Sequence, residues 1–314
     1  MRQVRSAFAS GCVVLLAAGI AFAHEAEPHD LDDLWYDWSF DPLIVVSLVI
    51  LAAVYLIGLY KLWKNTGVGR AINGWEVTAF TGAWLSLVIA LISPLHPWGE
   101  VLFSAHMTQH EVLMLVSAPL LVLSRPLVAT VWAMPLDWRK STHGVVKSRP
   151  VESVWRFVTN PFAAWAIHFV ALWTWHLPFL FQATLESDFV HTLQHVSFFG
   201  SALLFWWAII CAPRGAASYG AGILYLFTTS IHSGILGAFL TFTTKVWYPI
   251  YSKSTESWGL TPLEDQQLGG LIMWVPAGLV YIVAALFMFA GWLRESERRV
   301  QRRERELWGH SPAS

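Results

Sequence analysis

Apolar runs long enough to cross a bilayer recur along the chain, separated by short polar connections. They cover about Leu43–Tyr60, Trp75–Ser93, Leu102–Leu123, Phe162–Phe181, Val190–Cys211, Tyr219–Phe242 and Leu268–Trp292. A helix needs roughly 20 such residues to traverse the hydrocarbon, so the pattern predicts an all-α, polytopic transmembrane bundle of about seven spans. The stretch Pro126–Pro135 is too short to span and is bracketed by prolines; it reads as an interfacial turn, not an eighth helix. Pro119 and Pro276 are expected to kink their helices. Gly234 and Ala238, at small-x-x-x-small spacing, are expected to permit close helix approach, while Trp173, Trp206 and Trp207 read as belt or packing aromatics.

Composition agrees with a membrane protein: of 314 residues, 55% are hydrophobic and 13% charged, and the mean hydropathy is +0.50. The 19 tryptophans suit a headgroup level where an apolar body meets a wet edge. Arg2 and Arg5, a short apolar run, and Ala21 and Ala23 ahead of a polar segment have the form of a secretory signal over residues 1–23. An acidic segment follows at 24–41, then a single membrane domain at 42–292 and a basic, helical tail at 293–314. Lys61, Lys64, Arg70, Arg125, Arg139, Lys140, Lys147, Arg149, Arg156, Arg214 and the tail arginines fall on alternate loops, which the positive-inside rule assigns to the cytoplasm. The other loops and the N-terminus then face outward, in a bacterial inner membrane whose lipid is the first partner; nothing points to nucleic acid. Cleavage after Ala23 leaves Cys211 as the one cysteine, which excludes a disulfide framework and a paired-thiolate copper site. No phosphate-binding loop, nucleophile elbow or H-E-x-x-H sequence is present, so the chain reads as a non-enzyme.

With this topology, sequence position becomes depth at 1.5 Å per residue. His106 and His110 lie in the first turns of the third span, His191 and His195 in the first turns of the fifth. Each pair has i, i+4 spacing, which stacks both imidazoles on one helical face. Two such pairs at equal depth point to a metal or cofactor, with a proton path or a hydrated network as the alternatives. Around them the same outer side holds His96, His176, Asp265 and Gln266, with His232 deeper; these are candidate further ligands or supporting groups. Imidazoles suit Cu, Zn, Fe and Ni, and thioethers favour Cu(I), so Met107 and Met114, flanking His110, lean the choice toward copper. Glu111, about 100° around the helix from His110, either orients a histidine or makes an interhelical hydrogen bond. His24, with the free amine that cleavage would create, and nearby His29 form a further chelating candidate.

The stretches FSAHMTQHEVLMLVSAPLLVLSRP, HTLQHVSFFGSALLFWWAII and DQQLGGLIMWVPAG, in this order on alternate helices, resemble the assembly-factor family of caa3-type cytochrome c oxidase, the CtaG-type integral membrane proteins. The resemblance runs from about Trp38 to Leu286. It implies a membrane factor needed to make active haem-copper oxidase, handling copper for oxidase subunits or copper-delivery proteins. The matched polar positions are His106, His110, His191, His195, Asp265, Gln266 and Gln267. Two other readings stay open on the residues alone: a b-type haem electron carrier using histidines from facing helices, and a proton-coupled transporter using Glu111, His110 and His232.

Overall fold

The computed structural model describes residues 37–146, 148–211 and 216–308, and among these it contains helices and no strand. The signal segment, His24 and His29 lie outside the described residues. The helices are α1 (Pro42–Thr66), α2 (Gly74–Leu91), α3 (Leu95–Val101), α4 (Phe103–Glu111), α5 (Ala118–Leu123), α6 (Pro126–Ala133), α7 (Leu136–Val146), α8 (Arg149–Val158), α9 (Pro161–Trp175), α10 (Pro178–Glu186), α11 (Asp188–Ile210), α12 (Ala216–Phe242) and α13 (Pro262–Trp308). Five of these are long and apolar enough to cross a membrane, or seven if each of two bent pairs counts as one span. The chain is a multi-pass helical membrane protein.

The two bent pairs are where the expected spans differ from the observed ones. The fourth span breaks at His176 and Leu177, and α10 leaves α9 at 75°. Pro178 explains the break: it has no N–H for a continuing helix and disfavours helical geometry at Leu177, which is extended. The third span ends at Leu123 and bends by 57° into α6, so the segment expected to be a turn is a short helix. Lys61 donates to the Ala133 carbonyl at its C-terminal end (2.7 Å), where a cation is favoured. Farther on, α13 continues unbroken through Pro276 into the basic tail.

Within the third span, Val112–Ser117 forms a π turn between α4 and α5. The cause is Pro119, which cannot donate to a carbonyl one turn back. The Met114 carbonyl accepts instead from the Trp206 indole of α11 (2.9 Å). Trp206 therefore restores a bond that proline removes, and it ties the third span to the fifth.

Close helix contacts fall at glycines. In α1, a Cβ on Gly58 would sit 1.9 Å from the Ala129 carbonyl oxygen of α6, and between α12 and α13 a Cβ on Gly237 would sit 2.9 Å from the Gly270 carbonyl. The expected pair Gly234 and Ala238 is thus displaced in register: Gly234 faces the Trp274 ring, and Gly237 makes the backbone contact. The fifth span, α11, packs against α9 on one side and against the π turn and α5 on the other, while α4 packs against α13. This brings the His-bearing ends of α4 and α11 together.

Gly58→Ala is expected to destabilise the protein by about 1–3 kcal/mol through overpacking of a backbone contact. Leu56→Ala, on the exposed side of the same helix, should leave the melting temperature in detergent nearly unchanged. Equal melting of the two variants would contradict the α1–α6 contact.

Candidate functional site

The start of α4 is set by a residue 162 positions from Phe103 in the chain. The Asp265 carboxylate accepts from the Phe103 N–H (2.7 Å), the Ser104 N–H (3.1 Å) and the Ser104 hydroxyl (2.5 Å), and Asp265 is fully buried. A helix leaves its first N–H groups without internal partners, and a carboxylate there is favoured by both hydrogen bonding and the helix dipole. Asp265 is accordingly a cap on the histidine helix. Gln266 accepts from Trp247 N–H (2.6 Å) and donates to the Lys245 carbonyl (3.2 Å), and Gln267 donates to the Thr243 carbonyl (2.9 Å). Of the further ligands or supporting groups expected there, Asp265 is bonded to two backbone N–H groups and the Ser104 hydroxyl, and Gln266 to the backbone of Lys245 and Trp247, so Asp265 supports the histidine helix.

One turn into α4, His106 is fully buried. Its Nδ1 lies 3.2 Å from the Gly99 carbonyl, which can only accept, so Nδ1 carries the proton and Nε2 holds the lone pair. Tyr251 donates to the same Gly99 carbonyl (2.9 Å). Burial first, then Asp265 and Glu100, push the Tyr251 phenol well above its ordinary range, which keeps that proton in place. His191 and His195 approach from α11, and one ligand atom from each of His106, His191 and His195 lies within 4.8 Å of the others. The Nε2 atoms of His191 and His195 are buried without a hydrogen-bond partner.

His110 is next to this triad, with ring centroids 4.4 Å from His106 and 5.2 Å from His195, and both of its nitrogens lack partners. His96 stacks on His191 at 5.7 Å. The Gln109 amide donates both to the Ala90 carbonyl (2.7 Å) and to His96 Nδ1 (3.0 Å); since a carbonyl accepts only, the amide orientation is fixed, and the His96 proton is on Nε2. Burial lowers the His96 pKa against the opposing influence of Asp41 and Asp188. His96 is therefore a neutral ring that packs on the triad with its imine nitrogen already used.

The remaining candidates lie apart from the triad. His176 sits at the bend after α9, donating from Nδ1 to the Leu172 carbonyl (2.7 Å), with Nε2 unpartnered. Met107 faces Gly269 of α13, and Met114 belongs to the main apolar core. Glu111 has its Oε2 buried without a hydrogen-bond partner. His232 is packed on Trp165 and Phe169, away from the triad, because it lies in the middle of α12. Sequence reasoning leaves out Gln194, Gln109, Tyr251 and Gly99. Gln194 had a visible signal, since it lies between the two histidines of HTLQH.

Three imidazoles, each offering a nitrogen within 4.8 Å of the others, suit a first-row transition ion. Tetrahedral bonds of about 2.0 Å place donor atoms roughly 3.3 Å apart, so the triad closes on an ion with side-chain movements on the order of 1 Å. The fold and this cluster define a multi-pass membrane protein with a group of buried and half-buried histidines between two of its helices. Residues 53–295 match the family model described as cytochrome c oxidase caa3 assembly factor (Caa3_CtaG), and the chain belongs to that family. An uncharacterized protein of Mycobacterium leprae is 26% identical over 300 residues, covering 89% of this chain and 43% of that protein. Uncharacterized proteins of Mycobacterium bovis and Mycobacterium tuberculosis are each 27% identical over 282 residues, covering 85% of this chain and 41% of theirs. The chain thus spans less than half the length of these relatives. No solved structure matches it.

Asp265→Ala is expected to cost about 1.5–3 kcal/mol per charged hydrogen bond lost and to speed amide exchange at Phe103 and Ser104. Glu264→Ala, at the exposed neighbour bonded to Thr261, should leave amide exchange at Phe103 and Ser104 unchanged. Protected amides at 103 and 104 in Asp265→Ala would rule out the cap.

Proposed function

We propose that this protein is a non-enzymatic assembly factor for haem-copper cytochrome c oxidase that holds a copper ion on His106, His191 and His195 near the outer face of a bacterial inner membrane. Family membership supports the assembly role. The copper role rests on one observation: three imidazole nitrogens from two helices converge within 4.8 Å. His110, beside them with both nitrogens unpartnered, is the neighbouring group best placed to exchange for one of the three. Copper here is cargo, taken from a delivery protein and released to an oxidase subunit of higher affinity. The cation-rich loops, Lys61, Arg125 and Arg139 among them, at the end of the bundle opposite the histidines support the outward orientation.

The two other readings gain less support. For haem, an imidazole on each side of a macrocycle needs a slot between them; here the rings of His96, His106, His110, His191 and His195 pack on one another. For proton relay through Glu111, His110 and His232, no direct protein hydrogen bond reaches either histidine, and His232 packs on Trp165 and Phe169 instead.

Detergent-purified protein should retain about one copper per chain, and His106→Ala combined with His110→Ala should lose it; unchanged copper content in that double variant would refute the site. Because the ligands must be deprotonated, affinity should fall as pH is lowered and recover on return to neutral pH. A cell lacking the protein should accumulate oxidase deficient in copper and regain it with the wild-type chain.

A further inference from the structure

Gln194 lies on α11 between His191 and His195, fully buried. Its amide oxygen is 3.2 Å from His106 Nε2, while its amide nitrogen is buried without a partner. The hydrogen-bond inventory makes this contact anomalous. A neutral His106 has one ring proton, and Gly99, an obligate acceptor, takes it at Nδ1. The lone pair of Nε2 then faces the lone pairs of the Gln194 oxygen with no proton between them. Turning the amide over puts N–H on Nε2 but leaves the oxygen buried without a donor, so either orientation leaves one buried group unpaired. Two lone pairs about 3.2 Å apart are also close to the spacing of neighbouring donors on one ion with bonds near 2.0 Å.

Resting on the copper-binding reading above, we propose that the Gln194 amide oxygen is the fourth ligand, completing a three-imidazole, one-oxygen set. This donor set selects oxidation state. Thioethers favour Cu(I), whereas imidazole with an oxygen donor suits a divalent borderline ion such as Cu(II). Met107, which the sequence offers as a soft ligand, faces α13 instead. Gln194 thus discriminates between the two copper states, whereas the histidines bind both.

The test uses the full chain in nanodiscs, with Cu(II) and Cu(I) affinities measured by chelator competition and Co(II) as a spectroscopic probe of coordination. Gln194→Leu, similar in volume but without the oxygen, should weaken Cu(II) roughly ten- to a hundredfold, change the cobalt visible bands, and alter Cu(I) affinity by less than about threefold. Gln194→Glu should restore Cu(II) binding. Wild-type cobalt bands and Cu(II) affinity in Gln194→Leu, or tighter binding there, would overturn the fourth ligand while leaving the triad intact. Loss of both copper states in Gln194→Leu would overturn the selectivity. No binding by the wild type, or binding that survives His191→Ala, would overturn the triad and the fourth ligand together.

Discussion

Everything at the histidine end depends on how α4 begins. A helix that starts inside a protein needs partners for its first N–H groups, and Asp265 supplies them from α13 through three hydrogen bonds. Because His106 is two residues beyond Ser104, fixing that first turn fixes the azimuth of both α4 imidazoles. The same helix is held at its far end by the π turn and the Trp206 bond to the Met114 carbonyl. Between these two fixed points, His106 and His110 have little freedom to rotate away from α11.

A second layer of control is chemical. Backbone carbonyls cannot donate, so each one that meets an imidazole or an amide decides where a proton goes. The Gly99 carbonyl takes the His106 proton at Nδ1 and exposes Nε2 to α11; the Ala90 carbonyl orients Gln109 and thereby occupies the His96 imine nitrogen. Two neighbouring histidines in one cluster thus have opposite tautomers, one suited to binding an ion and one not. Proximity alone would treat them as equivalent.

Much of this could be read from the chain, and the boundary has a physical origin. The His106/His110 and His191/His195 pairs were legible because i, i+4 stacking is a local property of a helix. Their mutual approach followed from placing both pairs at one end of alternating spans. Long-range partners were not legible: nothing around Asp265 signals a bond to Ser104, and a carboxylate beside histidines looks like a ligand. The register of α12 on α13 was misplaced by one step because GILGAFL offers several small residues, and only the partner, Gly270, selects Gly237. The break at His176 was available in principle, since Pro178 follows an otherwise continuous apolar run, but hydropathy sums over a bend without registering it.

The distribution of unsatisfied groups argues for where function is concentrated. Buried polar atoms in folded proteins nearly always have partners, and in this bundle the rule holds along most of the helix contacts: Tyr55, Trp84, Trp206 and Tyr225 all reach carbonyls. Among the described residues, most of the exceptions are on α4 and α11, in Gln109, His110, Glu111, His191, Gln194 and His195, and the others are His176, Trp165, Trp173, His232 and Thr255. Each such atom costs free energy that better-packed apolar residues would avoid. A fold that satisfies carbonyls through long-range tryptophan and tyrosine bonds, yet leaves several imidazoles on α4 and α11 unpartnered side by side, bears its densest share of that cost there. Sites that break local rules in this way are where ligands are to be sought.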